Sequence, residues 1–136
     1  MKAYRKMKTY KKKRSGFTII ELMIVIMIVA ILVSLAYPSY VGYVRKAKRG
    51  EAQQLLLNWA INQEIWRSNN VSYTDTLVPS HDDYDFSAPV ATAAAYTLQA
   101  AATSTDQQKD KARDGTSCVT LTLTQAGTKT EPACWD

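Results

Sequence analysis

Twenty almost uninterrupted apolar residues near the N-terminus constrain this chain more than any other feature. The run extends over residues 17–36, and its polar members are only Thr18, Glu21 and Ser34. As a helix, this run would be about 30 Å long, which matches the hydrocarbon core of a bilayer. We therefore predict that residues 17–36 cross a membrane.

A strongly basic segment precedes the apolar run. Residues 1–16 contain eight Lys or Arg and no acid, whereas residues 17–136 hold nine cations and twelve acids. The net charge of +5 for the whole chain therefore conceals an acidic body with a charge of −3. Because cations stay on the cytoplasmic side of a span, we expect the N-terminus to face the cytoplasm. We interpret the basic segment as a targeting and topology signal.

Two simpler interpretations of this N-terminal region remain as alternatives. A secretory signal peptide also begins with cations and an apolar stretch, and Ser34-Leu35-Ala36 has the small residues of a cleavage site. The apolar part of such a signal has about 7–15 residues, so the longer run with Glu21 inside it argues against this interpretation. A plain membrane anchor is the second alternative.

The junction between the basic and apolar segments carries a specific motif. It reads Ser15-Gly16-Phe17-Thr18-Ile19-Ile20-Glu21. Together with the basic leader and with Pro38 after the span, this pattern resembles the class III signal of type IV pilins and of the related type II secretion pseudopilins. The resemblance is strongest over residues 11–55.

The resemblance implies how the chain is processed. A membrane-embedded prepilin peptidase would cut between Gly16 and Phe17, and the new amino group of Phe17 would then be methylated. Because Gly16 has no side chain, the extended backbone can enter a tight peptidase site. A carboxylate in hydrocarbon needs a partner, and the resemblance supplies the Phe17 ammonium of a neighbouring subunit for Glu21. Pro38 is expected to loosen the helix as the filament assembles.

Residues 37–68 are predicted to form the amphipathic second half of the same helix. We expect one face to pack against a sheet, with apolar residues at three-to-four spacing and an adjoining stripe. The face consists of Ala52, Leu55, Leu56, Trp59 and Trp66, and the stripe of Leu57, Ile61 and Ile65. The cations Arg45, Lys46, Lys48 and Arg49 suit phosphate headgroups, solvent or a neighbouring subunit.

Residues 69–136 are predicted to form a globular head. Residues 69–94 have the composition of a loop-rich connection, while alternating apolar residues predict strands over residues 96–100 and 118–124. A last short strand is expected after Gly127. The predicted fold class is α+β, the type IV pilin fold, in which a long N-terminal helix packs against an antiparallel sheet of three or four strands.

The two cysteines lie in the part of the chain expected outside the cytoplasm, where disulfides persist. The C-terminal pattern from Cys118 to Cys134 and Trp135 resembles PilE-type minor pilins of gammaproteobacteria, in which paired cysteines enclose the last hairpin. One disulfide closing a loop of about 15 residues contributes roughly 3 kcal/mol in the chain-entropy model. The resemblance implies a minor pilin that helps to initiate the pilus and lies near its tip.

No catalytic site, metal site or cofactor is predicted. Residues 81–85 are expected to form a solvated acidic loop, because adjacent side chains on an extended loop diverge; calcium binding, known among pseudopilins, stays open. The single His and the five Gly give no Ser-His-Asp constellation or phosphate loop. From Gly50 onward the chain has five cations and eleven acids, so no nucleic-acid partner is expected.

The predicted function is that of a structural subunit of a type IV pilus and not of an enzyme. It would serve adhesion, twitching motility or DNA uptake as a minor pilin. Its implied partners are other major and minor pilins, the prepilin peptidase, the inner-membrane assembly platform and a tip adhesin. Before assembly it would span the inner membrane once with its head in the periplasm, and afterwards it would lie in the surface pilus.

Four other identities remain open at this point. Within the family these are the major pilin and a type II secretion pseudopilin. Outside the family they are a membrane-anchored periplasmic binding module and a small exported enzyme.

Overall fold

One long helix and a three-stranded antiparallel sheet make up the described part of the chain. The computed structural model describes residues 16–135, so the predicted leader, apart from Gly16, lies outside the described residues. Helix α1 (Ile19–Asn69) is followed by strands β1 (Tyr84–Ala91), β2 (Tyr96–Ala102) and β3 (Thr120–Thr124), with short 3-10 helices at Gln107–Lys109 and Pro132–Trp135. The predicted α+β class is confirmed, and α1 ends at Asn69, one residue after the predicted end of the helix.

The first part of α1, up to Tyr37, forms a unit of its own. Thr18 caps this helix, because its Oγ1 accepts a hydrogen bond from the Glu21 amide at 3.2 Å. A Thr followed three residues later by Glu is the pattern of a capping box. Every described side chain up to Tyr37 is exposed, and the helix is long and apolar enough to cross a membrane. These features are those of a helix whose surroundings are lipid.

The second unit begins at Pro38 and contains one hydrophobic core. From α1 the core receives Ala52, Leu56 and Trp59, which are all buried. These residues recur every three or four positions and therefore lie on one face of the helix. Trp59 meets Phe86 of β1 edge-on, with 6.5 Å between the ring centroids. The predicted packing of the helix against the sheet is confirmed for this face.

The sheet has the order β1-β2-β3, so β2 is the central strand. Alternate residues of β2, from Tyr96 to Ala102, are buried, as expected of a strand with one face on a core. Leu98 pairs with Leu123 of β3, and Ala100 lies between Phe86 and Leu121 in the register. The small side chain of Ala100 thus leaves room for two large neighbours.

Strand β1 lies inside the segment that was predicted to be loop, and this prediction was wrong. The inward residues Tyr84 and Phe86 do alternate with polar ones, but the pattern stops after these two residues. The register shifts between Ser87 and Val90, and Pro89 lies within the shift. Because proline cannot donate to a ladder, it is tolerated at a bulge of an edge strand.

The last short strand predicted after Gly127 is absent from the described residues, so this prediction was wrong. Leu123 and Lys129 make an isolated bridge, and the chain then turns into the 3-10 helix Pro132–Trp135. Gly127 and Glu131 have φ angles of 76° and 48°, which no extended strand adopts. The ladder therefore cannot continue, and the sheet has three strands.

The second predicted stripe of α1 does not join the core. Leu57 is 43% exposed, and Ile61 and Ile65 are also exposed. Trp66, which was predicted to lie on the packed face, is exposed as well, so the prediction was wrong for this residue. The buried face includes instead two polar residues, Arg49 and Gln63, which a hydrophobic pattern does not select. The backbone of a single residue satisfies the Gln63 side-chain amide, because Nε2 donates to the Thr74 carbonyl at 2.6 Å and Oε1 accepts from the Thr74 amide at 2.9 Å.

Candidate nucleic-acid interface

The four cations that follow the membrane segment have different environments on α1. Arg49 is buried, Arg45 and Lys48 are half-buried, and Lys46 is exposed. Lys48 forms an ion pair with Asp83 at 2.8 Å, and this contact lowers the pKa of the Asp83 carboxyl. Because Arg45 and Arg49 are one helical turn apart, they lie on the same side of α1.

The two arginines pair with two aspartates that are also four residues apart. Arg45 Nη2 lies 2.6 Å from Asp106 Oδ1, and we call this the outer pair. Arg49 Nη1 lies 2.7 Å from Asp110 Oδ2, and we call this the inner pair. The Asp106 side chain is 55% exposed, whereas both side chains of the inner pair are only 5% exposed. The Arg45 hydrogen bond lowers the pKa of the Asp106 carboxyl.

Gln107, which is also buried, makes further hydrogen bonds next to the inner pair. Its Nε2 donates to the Arg45 carbonyl at 3.1 Å and to Tyr84 Oη at 2.8 Å. Burial raises the pKa of Tyr84 to about 12, so its hydroxyl is protonated at neutral pH. The backbone amide of Cys118 donates to the Asp110 carbonyl at 3.0 Å. These contacts fix the loop after β2 against α1.

The same loop holds three cations on its solvent side. Asp110 and Ala112 are buried, whereas Lys109, Lys111 and Arg113 are exposed. Inward and outward residues alternate because the segment is extended. Lys111 bridges antiparallel to Ser117, and the connecting turn contains Gly115 at a φ of 90°, a conformation that favours glycine.

The helix cations and the loop cations line one groove. Its walls contain six cations and one carboxylate, contributed by Arg45, Lys46, Arg49, Lys109, Asp110, Lys111 and Arg113. Four of these cations are exposed, and we call Lys46, Lys109, Lys111 and Arg113 the basic patch. Asp114 borders it in an adjacent groove, where its Oδ1 accepts a hydrogen bond from the Thr116 amide at 2.9 Å. Such a cluster attracts polyanions.

The basic patch is the feature that the sequence analysis missed. The charge count that began at Gly50 left out Lys46 and offset the three loop cations by the aspartates that lie next to them in the sequence. The three loop cations are neighbours in the sequence, but Lys46 joins them only in the fold. The Arg49–Asp110 contact, which spans 61 positions, is not visible in any local window. The useful sequence signal is the equal spacing of Arg45 and Arg49 and of Asp106 and Asp110.

The residues predicted to serve processing and assembly lie at the start of the described chain and within α1. Gly16 and Phe17 are exposed at the start of the described chain, and Glu21 is in the first turn of α1. Pro38 remains inside α1. Cys118 and Cys134 form a disulfide with 5.6 Å between their Cα atoms, which confirms the predicted pairing.

The side chains of residues 81–85 do not converge on one point, and two of them contact different residues of α1. His81 Nε2 lies 3.2 Å from Glu51 Oε2, and Asp83 pairs with Lys48. Asp85 is an exposed residue of β1, so the prediction of a loop over residues 81–85 was wrong for its last two residues. Within residues 16–135, no three His, Cys, Asp or Glu side chains are grouped to hold a metal ion.

Comparisons with known proteins identify the family of the chain. Residues 38–122 match the profile of a family described as "Type IV minor pilin ComP, DNA uptake sequence receptor". The chain belongs to this type IV pilin family. Residues 11–37 match the prokaryotic N-terminal methylation motif, so the family predicted from the sequence is confirmed. Type IV pilins are structural proteins, anchored in the inner membrane before assembly and present in the surface pilus afterwards.

Individual relatives are similar to this pilin over less than half of its length. A fimbrial protein of Neisseria meningitidis serogroup A is 41% identical over 66 residues, which cover 43% of this chain and 39% of that protein. The type IV major pilin protein PilE1 of Neisseria gonorrhoeae is 41% identical over 64 residues, which cover 42% of this chain and 30% of that protein. The matched part of the chain thus spans less than half the length of these relatives.

A solved structure has a similar fold. The crystal structure of the Neisseria meningitidis non-core minor pilin PilV superposes with a TM-score of 0.54 and 17% identity. The match covers 65% of this chain and 87% of PilV. This likeness concerns the fold and confirms the predicted pilin architecture.

Proposed function

We propose that this pilin is a minor subunit of a type IV pilus that binds duplex DNA through the basic patch. The fold gathers exposed Lys46, Lys109, Lys111 and Arg113 around one groove. Exposed Lys and Arg neutralise phosphates and supply most of the sequence-independent affinity for DNA. The family profile described as a DNA uptake sequence receptor covers residues 38–122, which include the whole patch. This proposal replaces the expectation that nucleic acid is not a partner.

Salt dependence is the most direct test of a phosphate-binding patch. The mature chain in neutral detergent micelles would be titrated with a fluorescein-labelled duplex, and anisotropy recorded at several salt concentrations. If each of the four cations contacts one phosphate, log K falls with log salt at a slope of about −3.6. The double variant Lys111→Gln/Arg113→Gln should reduce the slope to about −1.8.

Lys129→Gln provides a matched control for the loss of a positive charge. Lys129 is also exposed, but it lies over the Trp135 ring at 4.6 Å and is not among the residues that line the groove. Its replacement should leave the slope unchanged. The proposal fails if the unmodified chain shows no saturable binding at physiological salt, or if the control loses as much affinity as the patch variants.

We also propose the processing steps that the family implies. The prepilin peptidase cuts between Gly16 and Phe17, the new Phe17 terminus is methylated, and the subunit passes to the inner-membrane platform. The match to the methylation motif over residues 11–37 supports this. Mass spectrometry of the mature protein tests it: a methylated Phe17 is expected, whereas a terminus at Tyr37 indicates signal peptidase and an intact Met1 indicates an anchor.

The proposed assembly role of Glu21 is its pairing with the Phe17 ammonium of a neighbouring pilin. Its backbone also takes part in the Thr18 cap, so capping and charge must be separated. Glu21→Gln keeps a capping-box residue and removes the charge, and it should be processed normally but excluded from pili. Thr18→Ala, which removes the cap and keeps the charge, should still be incorporated. Normal incorporation of Glu21→Gln argues against the pairing.

The helix is weakened around Pro38, and this feature also bears on assembly. Because Pro38 has no amide to donate, the carbonyl one turn earlier, at Ser34, lacks its helical partner. We propose that residues 34–38 loosen when the subunit enters the filament.

We further propose that the subunits around it in the filament are major and minor pilins, and that a tip adhesin is another partner. The amount of this pilin in sheared pili tests its assignment as a minor subunit. A dominant band would refute that assignment.

A further inference from the structure

The outer and inner pairs have the same chemistry but different exposure. The inner pair is almost fully buried, and it is reinforced by Gln107 Nε2, which lies 3.4 Å from Asp110 Oδ2. The outer pair is open to solvent, above all at Asp106. Exposed ion pairs contribute little to stability, whereas breaking a buried one is costly. The outer pair can therefore open while the inner pair holds the loop in place.

Arg45 is also one of the residues that line the basic groove. A guanidinium binds carboxylate and phosphate oxygens through the same planar set of donors, so the two anions compete for it. In the free protein, Asp106 Oδ1 lies 2.6 Å from Arg45 Nη2 and so engages a guanidinium donor that a phosphate could otherwise bind.

We propose that DNA displaces Asp106 from Arg45, which makes Arg45 a fifth phosphate contact and Asp106 a built-in competitor of DNA. This inference rests on the proposed binding of DNA to the basic patch. It assigns opposite roles to two paired residues: Arg45 strengthens DNA binding, and Asp106 weakens it until it is displaced.

A double-mutant cycle on the mature chain in neutral detergent micelles, with the same labelled duplex, tests the exchange. Asp106→Asn removes the competing charge and keeps the size of the side chain, and it should tighten binding about twofold to fivefold. Arg45→Gln should weaken binding. In the Arg45→Gln background, Asp106→Asn should give only the small gain expected from removing any nearby negative charge.

Asp114→Asn measures that general charge effect. Asp114 also borders the basic patch, but its carboxylate accepts from the Thr116 amide instead of pairing with an arginine. Its replacement should give a smaller gain, equal with and without Arg45. Thermal unfolding of each variant, followed by tryptophan fluorescence, should confirm that the fold is retained.

The outcomes separate this inference from the proposed function. A gain from Asp106→Asn that persists without Arg45, or that only equals the gain from Asp114→Asn, overturns the exchange while DNA binding itself stands. Absence of saturable binding by the unmodified chain overturns both.

Discussion

Arg49 and Asp110 form a buried ion pair that joins α1 to the loop carrying three cations of the basic patch. The 2.7 Å contact between Nη1 and Oδ2 brings together two side chains that are each 5% exposed. Charges removed from water are costly unless they are paired and hydrogen-bonded, and Gln107 supplies an additional donor to this carboxylate. The position of the patch thus depends on two residues that do not belong to it.

Breaking this pair should destabilise the head strongly. Asp110→Asn leaves the Arg49 charge buried without its partner, and we expect the free energy of unfolding to fall by about 3–5 kcal/mol. Urea unfolding followed by tryptophan fluorescence measures this loss. Asp106→Asn in the exposed outer pair is the matched control and should leave stability nearly unchanged. Equal losses in the two variants would contradict the difference in burial.

Two adjacent leucines of α1 should respond differently to truncation. Leu56 is fully buried, whereas Leu57 is 43% exposed. Leu56→Ala creates a cavity in the core and should cost about 2–5 kcal/mol, whereas Leu57→Ala should cost well under half as much. Urea unfolding of both variants decides the issue. A large loss from Leu57→Ala in the isolated subunit would mean that its face is packed within the head.

These contrasts show which parts of the structure were predictable from the sequence. Some features are encoded by residues that lie close together in the sequence. These are the membrane helix, the Gly16-Phe17 junction and the alternation in β2 and β3, and a short stretch of sequence is enough to predict each of them. Strand β1 was hidden because only Tyr84 and Phe86 alternate before the bulge at Pro89. Arg49 and Gln63 were missed because polar residues are buried only when a distant partner satisfies them.

Two glycines should respond to alanine in opposite directions. Gly50 lies inside α1, and a Cβ added there meets no atom within 4 Å, so Gly50→Ala should stabilise by about 0.5–1 kcal/mol. Gly115 has a φ of 90°, so Gly115→Ala should destabilise by about 1 kcal/mol or more. Thermal unfolding of both variants provides the measurement. Stabilisation by Gly115→Ala would contradict the turn described for the loop.

Alkaline pH should destabilise the head through two buried tyrosines. Burial raises the pKa of both Tyr84 and Tyr96 to about 12, whereas an unfolded tyrosine has a pKa of about 10. Between about pH 10 and 12 the unfolded chain releases phenol protons that the folded chain retains. Stability is therefore complete below about pH 10 and should fall by up to about 1.4 kcal/mol per pH unit for each tyrosine above it.

Urea unfolding between pH 9 and pH 12 measures this decline. Tyr84→Phe and Tyr96→Phe should each remove about half of the pH dependence, because each variant eliminates one of the two titrating phenols. A variant that retains the full decline would show that the tyrosine it replaces is not responsible.

The alternation along residues 110–113 makes the basic patch sensitive to chain length. Asp110 and Ala112 face inward, and Lys111 and Arg113 face outward. Deleting Ala112 would preserve every charge of the loop but would move Arg113 into the inward position, and the patch would lose one of its four cations. Related heads with the same number of lysines and arginines can therefore differ in the surface they offer to DNA because of a single insertion or deletion.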